Sequence, residues 1–155
     1  MKVRRVALTF VMLFVGLTMC FAAANPNIGT WKLNEAKSKL SPGLPKNLTV
    51  KYEAIGGNIK ATVDGVDGQG KPTHNEWTGK FDGKDYPVTG DPTSDARSYK
   101  TIDDHTLELT VKKGGKVTMT GRIVVSADGK SRTVAVSATD AAGKKIESTT
   151  VSDKQ

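Results

Sequence analysis

The chain of 155 residues contains one cysteine, Cys20, and that cysteine lies in an N-terminal segment that reads as an export signal. Lys2, Arg4 and Arg5 precede an almost wholly apolar run from Val6 to Phe21, and Ala22-Ala23-Ala24 supplies the small residues that a signal peptidase inspects. This pattern predicts a signal peptide over 1–24 and cleavage before Asn25. The remaining 131 of the 155 residues are enough for one domain, 25–155. That domain has no cysteine, which excludes a disulfide, a thiolate nucleophile and a cysteine-based metal site, although the destination is oxidising. Its stability has to come from the core.

Two other readings of the N-terminal segment stand beside cleavage. Val6 to Ala24 is just long enough to be an uncleaved membrane anchor, and Leu17-Thr18-Met19-Cys20 is similar to a bacterial lipobox, although Met19 stands where a small residue belongs. The expectation is an exported protein, periplasmic or extracellular, with no stable membrane insertion once the signal is removed.

Other absences narrow the function. The formal net charge of +7 is partly the signal's own: without Lys2, Arg4 and Arg5, 20 of the 23 basic residues face 16 acidic ones, a net +4 with both signs interspersed. No basic stripe with interleaved aromatics is present, so a nucleic-acid partner is not expected. There is no Gly-x-Ser-x-Gly elbow, no His-Glu-x-x-His and no phosphate-cradling glycine loop, and no catalytic residue is assigned. His74 and His105 lack spaced carboxylate or cysteine partners, and Asp64 and Asp67 lack the spacing of an EF-hand loop. No metal and no cofactor are therefore expected. Asn47-Leu48-Thr49 matches a glycosylation sequon, read here as a chance match in a bacterial-type export protein. No fixed repeat period points to a solenoid or propeller.

What the sequence does contain is alternation. Leu48, Val50, Tyr52 and Ala54 alternate with polar residues, as do Ile59, Ala61 and Val63, then Leu107, Leu109 and Val111, then Val117, Met119, Ile123 and Val125. Period two places alternate side chains on opposite faces of a strand, so each segment has one dry and one wet face, the mark of antiparallel sheet. Turn signals separate the runs: Gly56-Gly57, Asp67-Gly68-Gln69-Gly70, Asp82-Gly83, Asp103-Asp104, Gly114-Gly115, Asp128-Gly129 and Ala142-Gly143. The expected fold is all-β, an antiparallel up-and-down meander of about eight to ten strands. Closing such a meander into a barrel buries its apolar face and removes its edges, with room for one small ligand. A two-sheet sandwich is the alternative. Asn34 caps one short helical turn through Glu35 to Ser38 after the first strand.

Gly29-Thr30-Trp31-Lys32-Leu33 heads that first strand. It resembles the G-x-W start of the lipocalins and the G-T-W-K start of the intracellular fatty-acid-binding proteins, families that hold hydrophobic ligands inside such barrels. The longer string through Gly43, the export signal and the Asp-Gly-Lys hairpins resemble small exported bacterial proteins of unassigned function with a lipocalin-like plan. The resemblance implies a lipocalin-like barrel, with Trp31 closing one end. Three family features are missing: a helix pair after strand one, a terminal Arg-x-Tyr pair, and a Thr-Asp-Tyr turn.

Candidate ligand contacts come from strand geometry. Arg97 and Tyr99 stand at i and i+2 and share a face, so a guanidinium and a phenol converge on one carboxylate if that face points inward; otherwise Arg97 snorkels at the surface. Tyr52, Trp77, Phe81 and Met119 would line an apolar pocket, or equally an ordinary packed core. Arg122 falls on a wet face, and Arg132 is a weaker candidate than Arg97. The functional expectation is an exported monomer that binds a small hydrophobic, amphipathic or carboxylate-bearing molecule inside the barrel. The alternative is a structural or protein-interaction module of the cell envelope with a filled core, using an edge or a loop such as Pro87 to Pro92. A hydrolase or isomerase on the same barrel is a third option, since fold does not fix function.

Overall fold

A computed structural model of the protein describes residues 25–139 and 143–155. The predicted signal peptide, its cleavage site, Cys20 and Ala142 of the last predicted turn lie outside the described residues. Ten antiparallel strands succeed one another: β1 (Gly29–Leu33), β2 (Lys46–Ile55), β3 (Asn58–Val66), β4 (Pro72–Gly79), β5 (Tyr86–Thr89), β6 (Ala96–Asp103), β7 (Thr106–Lys113), β8 (Lys116–Val125), β9 (Ser131–Thr139) and β10 (Lys145–Lys154). Each pairs with its neighbours in sequence, and β1 also pairs with β10, so the sheet closes on itself as an up-and-down barrel. Closure joins the first strand to the last, although β5 pairs through only two residues on each side, and this answers the choice between barrel and sandwich.

β1 is short, and residues 34–39 complete the seam it makes with β10. Lys32 and Leu33 lie opposite Asp153 and Ser152, and beyond them Asn34 N–H donates to Val151 O (2.8 Å) while Lys39 exchanges two backbone hydrogen bonds with Thr149. Between these points Asn34 caps a single 3-10 turn, Glu35–Lys37, through its side-chain oxygen and Lys37 N–H. The expected helical turn is therefore a surface strap along β10.

The dry faces fall largely where the alternation places them. Val50, Tyr52, Ala61, Val63, Leu107, Leu109, Val111, Ile123 and Val125 are all buried. Three expected positions are corrected. Leu48 is exposed because the register between β2 and β3 slips between Asn47 and Thr49, leaving Leu48 outside the pairing. Val117 is more than half exposed because a second irregularity sets Val111 opposite Met119 but Lys112 opposite Val117, which turns the start of β8 over. Ala54 is exposed at the far end of β2, beside the Gly56-Gly57 hairpin.

One end of the barrel is filled by rings. Trp77 stacks on Phe81 (centroids 6.2 Å, interplanar 17°) and meets Tyr86 and Tyr99 edge-on, at 5.8 and 4.7 Å. Tyr52 joins through Phe81 and Tyr99. Such edge and offset contacts add to the burial energy of each ring. Beside them Trp31 is fully buried, its Nε1–H donating to Asn27 O at 2.9 Å. Lys154 reaches over the Trp31 ring, 5.0 Å from its centroid, to donate to Pro26 O. That path crosses Gly29, where φ is +128° and an added Cβ would sit 2.6 Å from Lys154 Cε. The glycine of Gly29-x-Trp31 thus has a backbone reason in its positive φ, and its missing Cβ leaves room for the Lys154 side chain that covers the indole.

Candidate functional site

Opposite the ring cluster the barrel is not filled. A cavity of about 150 Å³ lies among the inward faces of the strands and opens between the 41–45 loop and the 90–95 loop. The aliphatic part of its wall includes Val50, Val63, Leu109, Ile123, Val134 and Val136, supplied by five strands. Polar side chains share the lining, among them Asp67, Asn75, Asp91, Arg97 and Arg132, and an apolar wall with convergent polar groups suits a small-molecule site.

Four of the six sequence-predicted contacts, Arg97, Tyr99, Tyr52 and Met119, border this cavity. Trp77 and Phe81 do not; they belong to the ring cluster, and Phe81 lies beyond the end of β4 at Gly79. Trp31 is set apart from the cavity by its place beside Lys154. Arg97 and Tyr99 do share the inward face of β6, so Arg97 does not snorkel to the surface.

The Arg97 guanidinium is already partnered. Its Nη2 donates to Asp91 Oδ2 at 2.6 Å, with both side chains nearly nine-tenths buried. Asp91 also accepts from Ser94 Oγ (2.6 Å), from Thr93 Oγ1 (2.7 Å) and from Thr93 N–H (2.8 Å). Burial alone would push the Asp91 carboxyl up; the bonds from Ser94, Thr93 and Arg97 outweigh it and hold the group below the ordinary carboxylate value. Burial likewise works against the charge on Arg97, and the neighbouring Tyr99 and Asp91 overcome it. This pair is a neutral clamp at the mouth, tying the 90–95 loop to β6.

Arg132 is different. It lines the same cavity from the start of β9, is only 4% exposed, and forms no ion pair with any described carboxylate. Its Nη2 donates to Tyr52 Oη at 2.8 Å, its guanidinium carbon lies 4.9 Å from the Tyr52 ring centroid, and its buried Nε has no hydrogen-bond partner. Burial drives the Tyr52 phenol well above its usual range, the proximity of Tyr99 adds to this, and Arg132 only partly offsets it. Tyr52 is therefore a neutral hydroxyl, able to support the guanidinium but not to neutralise it. A second unsatisfied group, the Asn75 side chain on β4, borders the cavity as well. Ser148 and Ser152 on β10 add hydroxyls.

Sequence reasoning ranks Arg132 below Arg97 and passes over Asn75 and Asp91. The available signal for Arg132 is its spacing: it stands at i, i+2 and i+4 with Val134 and Val136, on one face of a strand. For Asp91 there is none, since its role depends on the loop returning it to Arg97.

Arg122 is exposed on β8. His74 lies on the outer surface of β4, with Nδ1 2.6 Å from Asp64 Oδ1, and Asp103 serves the turn before β7 by accepting from His105 N–H at 2.9 Å. Among the described residues no group of three or more His, Cys, Asp or Glu side chains is placed to hold a metal ion. No helix among them is long and apolar enough to cross a membrane. In comparisons with known proteins, no family model matches the chain, and no curated protein matches it.

Proposed function

We propose that this is an exported binding protein with a lipocalin-like barrel, which holds a small amphipathic monoanion, a short carboxylic acid, in its interior. One observation carries the reading: Arg132 is a buried cation with no anion paired to it among the described residues. An unpaired buried charge is costly, and the two carboxylates on the cavity wall are engaged elsewhere: Asp91 is committed to Arg97, and Asp67 accepts from the N–H groups of Gln69 and Lys71. Arg132 is thus left without a counter-ion beside it among the described residues, and a guanidinium is the side chain best shaped to receive a carboxylate. The aliphatic walls suit an apolar body.

The volume sets the scale. A cavity of about 150 Å³ is comparable to one that accommodates benzene, so the buried part of the ligand has roughly six to ten non-hydrogen atoms. Export is supported by the basic and apolar segments before Asn25, and closure of the far barrel end by the complete burial of Trp31 beneath Lys154.

Titration calorimetry and native mass spectrometry with straight-chain acids from butanoate to decanoate test the proposal. The expected result is one bound acid per chain, with the optimum at intermediate length. Arg132→Met should weaken binding at least about tenfold, the usual weight of a hydrogen bond to a charged group. Absence of binding across the series, or equal binding by Arg132→Met, would overturn it and favour a protein-interaction module that holds no interior ligand.

A further inference from the structure

Asn75 stands on the inward face of β4, opposite Val63 and two residues before the buried Trp77. It is 7% exposed, and its side chain makes no hydrogen bond among the described residues; the buried Oδ1 has no donor. Asn27 offers a contrast. It also has a bare Oδ1, yet its Nδ2 donates to Asn25 Oδ1 and its backbone oxygen receives Trp31 Nε1–H. Asn27 therefore organises the closed end, whereas the carboxamide of Asn75 holds nothing in place.

A buried carboxamide oxygen without a donor is costly, and an aliphatic side chain of the same size would fill this core position better. Its place on the cavity wall supplies the missing term. We infer that Asn75 is a specificity-determining residue, through which the cavity prefers acids carrying a neutral group that both donates and accepts, a hydroxyl or an amide, over plain acids of equal length. The inference rests on the reading of Arg132 as the carboxylate site. Arg132 would take the charged end, and Asn75, turning about its Cβ–Cγ bond, would take the second polar group with its oxygen as acceptor and its amide hydrogens as donors. A plain alkyl acid leaves that carboxamide bare, and sites built to bond a ligand hydroxyl discriminate strongly against the analogue without it.

The experiment compares hexanoate with its 3-, 4-, 5- and 6-hydroxy derivatives by titration calorimetry on the wild-type protein and on Asn75→Leu. At least one hydroxyl position should bind about tenfold tighter than hexanoate to the wild type, and in Asn75→Leu the same ratio should fall to within about twofold. In the wild type, the side-chain amide resonances of Asn75 in a 15N-correlated NMR spectrum should move with that hydroxy acid and not with hexanoate. This second readout stands even if Asn75→Leu does not fold.

Hexanoate binding that needs Arg132 but gains nothing from any hydroxyl would overturn this inference alone. So would a hydroxyl preference that survives in Asn75→Leu, or Asn75 resonances that respond alike to both ligands. Failure of every acid to bind would overturn the carboxylate site and this inference together.

Discussion

The two arcs of the barrel are built from different materials. Every aromatic side chain of the described residues, Trp31, Tyr52, Trp77, Phe81, Tyr86 and Tyr99, lies on β1 to β6 or the loops between them, and residues 100–155 contain none. Across the barrel, β9 and β10 face inward with Arg132, Val134 and Val136 and with Ser148, Thr150 and Ser152. Closure brings the two arcs together around one interior, but large rings fill their side of it and small side chains do not fill theirs. The void, with a cation and hydroxyls on its wall, is the volume left by that mismatch. The ring-rich part of the interior thus holds the fold, and the part left hollow is where the proposed ligand would sit.

The sharpest way to break this division is to cut into the filled end. Trp77→Ala removes the ring that touches Phe81, Tyr86 and Tyr99 and a hydrogen bond from Nε1 to Arg97 O. Chemical denaturation should show a loss of about 3–5 kcal/mol, as for other large aromatic truncations. On the hollow side Val136→Ala should cost no more than about 1 kcal/mol, because the side chain already borders empty space. Equal losses from the two would show that both ends are packed alike.

The next test exchanges stability for binding. Arg132→Met removes a buried, unpaired charge while keeping a long apolar stem, so the midpoint of denaturation should rise, by about 1–2 kcal/mol in stability, as acid binding is lost. A destabilised Arg132→Met would mean that the guanidinium belongs to the scaffold through Tyr52.

A smaller effect separates the two arginines. Asp91 is held below its unfolded value, so its contribution to stability is complete above the ordinary aspartate range, near pH ~4, and disappears as the pH falls through the lower folded value. Asp91→Asn should therefore be less stable than wild type at neutral pH, with the difference narrowing as the pH falls below about 4 in denaturation curves. A gap that stays constant with pH would rule out the carboxylate as the source.

The smallest expected change is on the outer surface. His74 and Asp64 are both more than half exposed, and Asp64→Asn should leave the denaturation midpoint unchanged within error, since exposed pairs contribute little.

Much of the frame is legible in the chain because antiparallel strands write their faces into the sequence at period two. Leu107, Leu109 and Val111 read as one buried face and are one. Where the reading fails, at Leu48 and Val117, a slipped register reverses the faces, and a slip of one residue leaves no compositional trace. The site is harder. Arg97 and Tyr99 stand out because i and i+2 share a face, but whether Arg97 is free depends on Asp91, six residues away around a loop. Arg132 and Tyr52 are 80 residues apart and meet only because the sheet closes.

By itself, then, the sequence determined the elements and their order: an all-β meander with short hairpins, because alternation and turn residues are local properties. Gly29-Thr30-Trp31 marked its first strand before the reason for the glycine was visible. Tertiary structure alone decided what the interior contains. Which cation is neutralised, which carboxamide is left bare, and whether rings from one arc can fill the space behind the other are sums over the whole closed sheet. No single strand carries them.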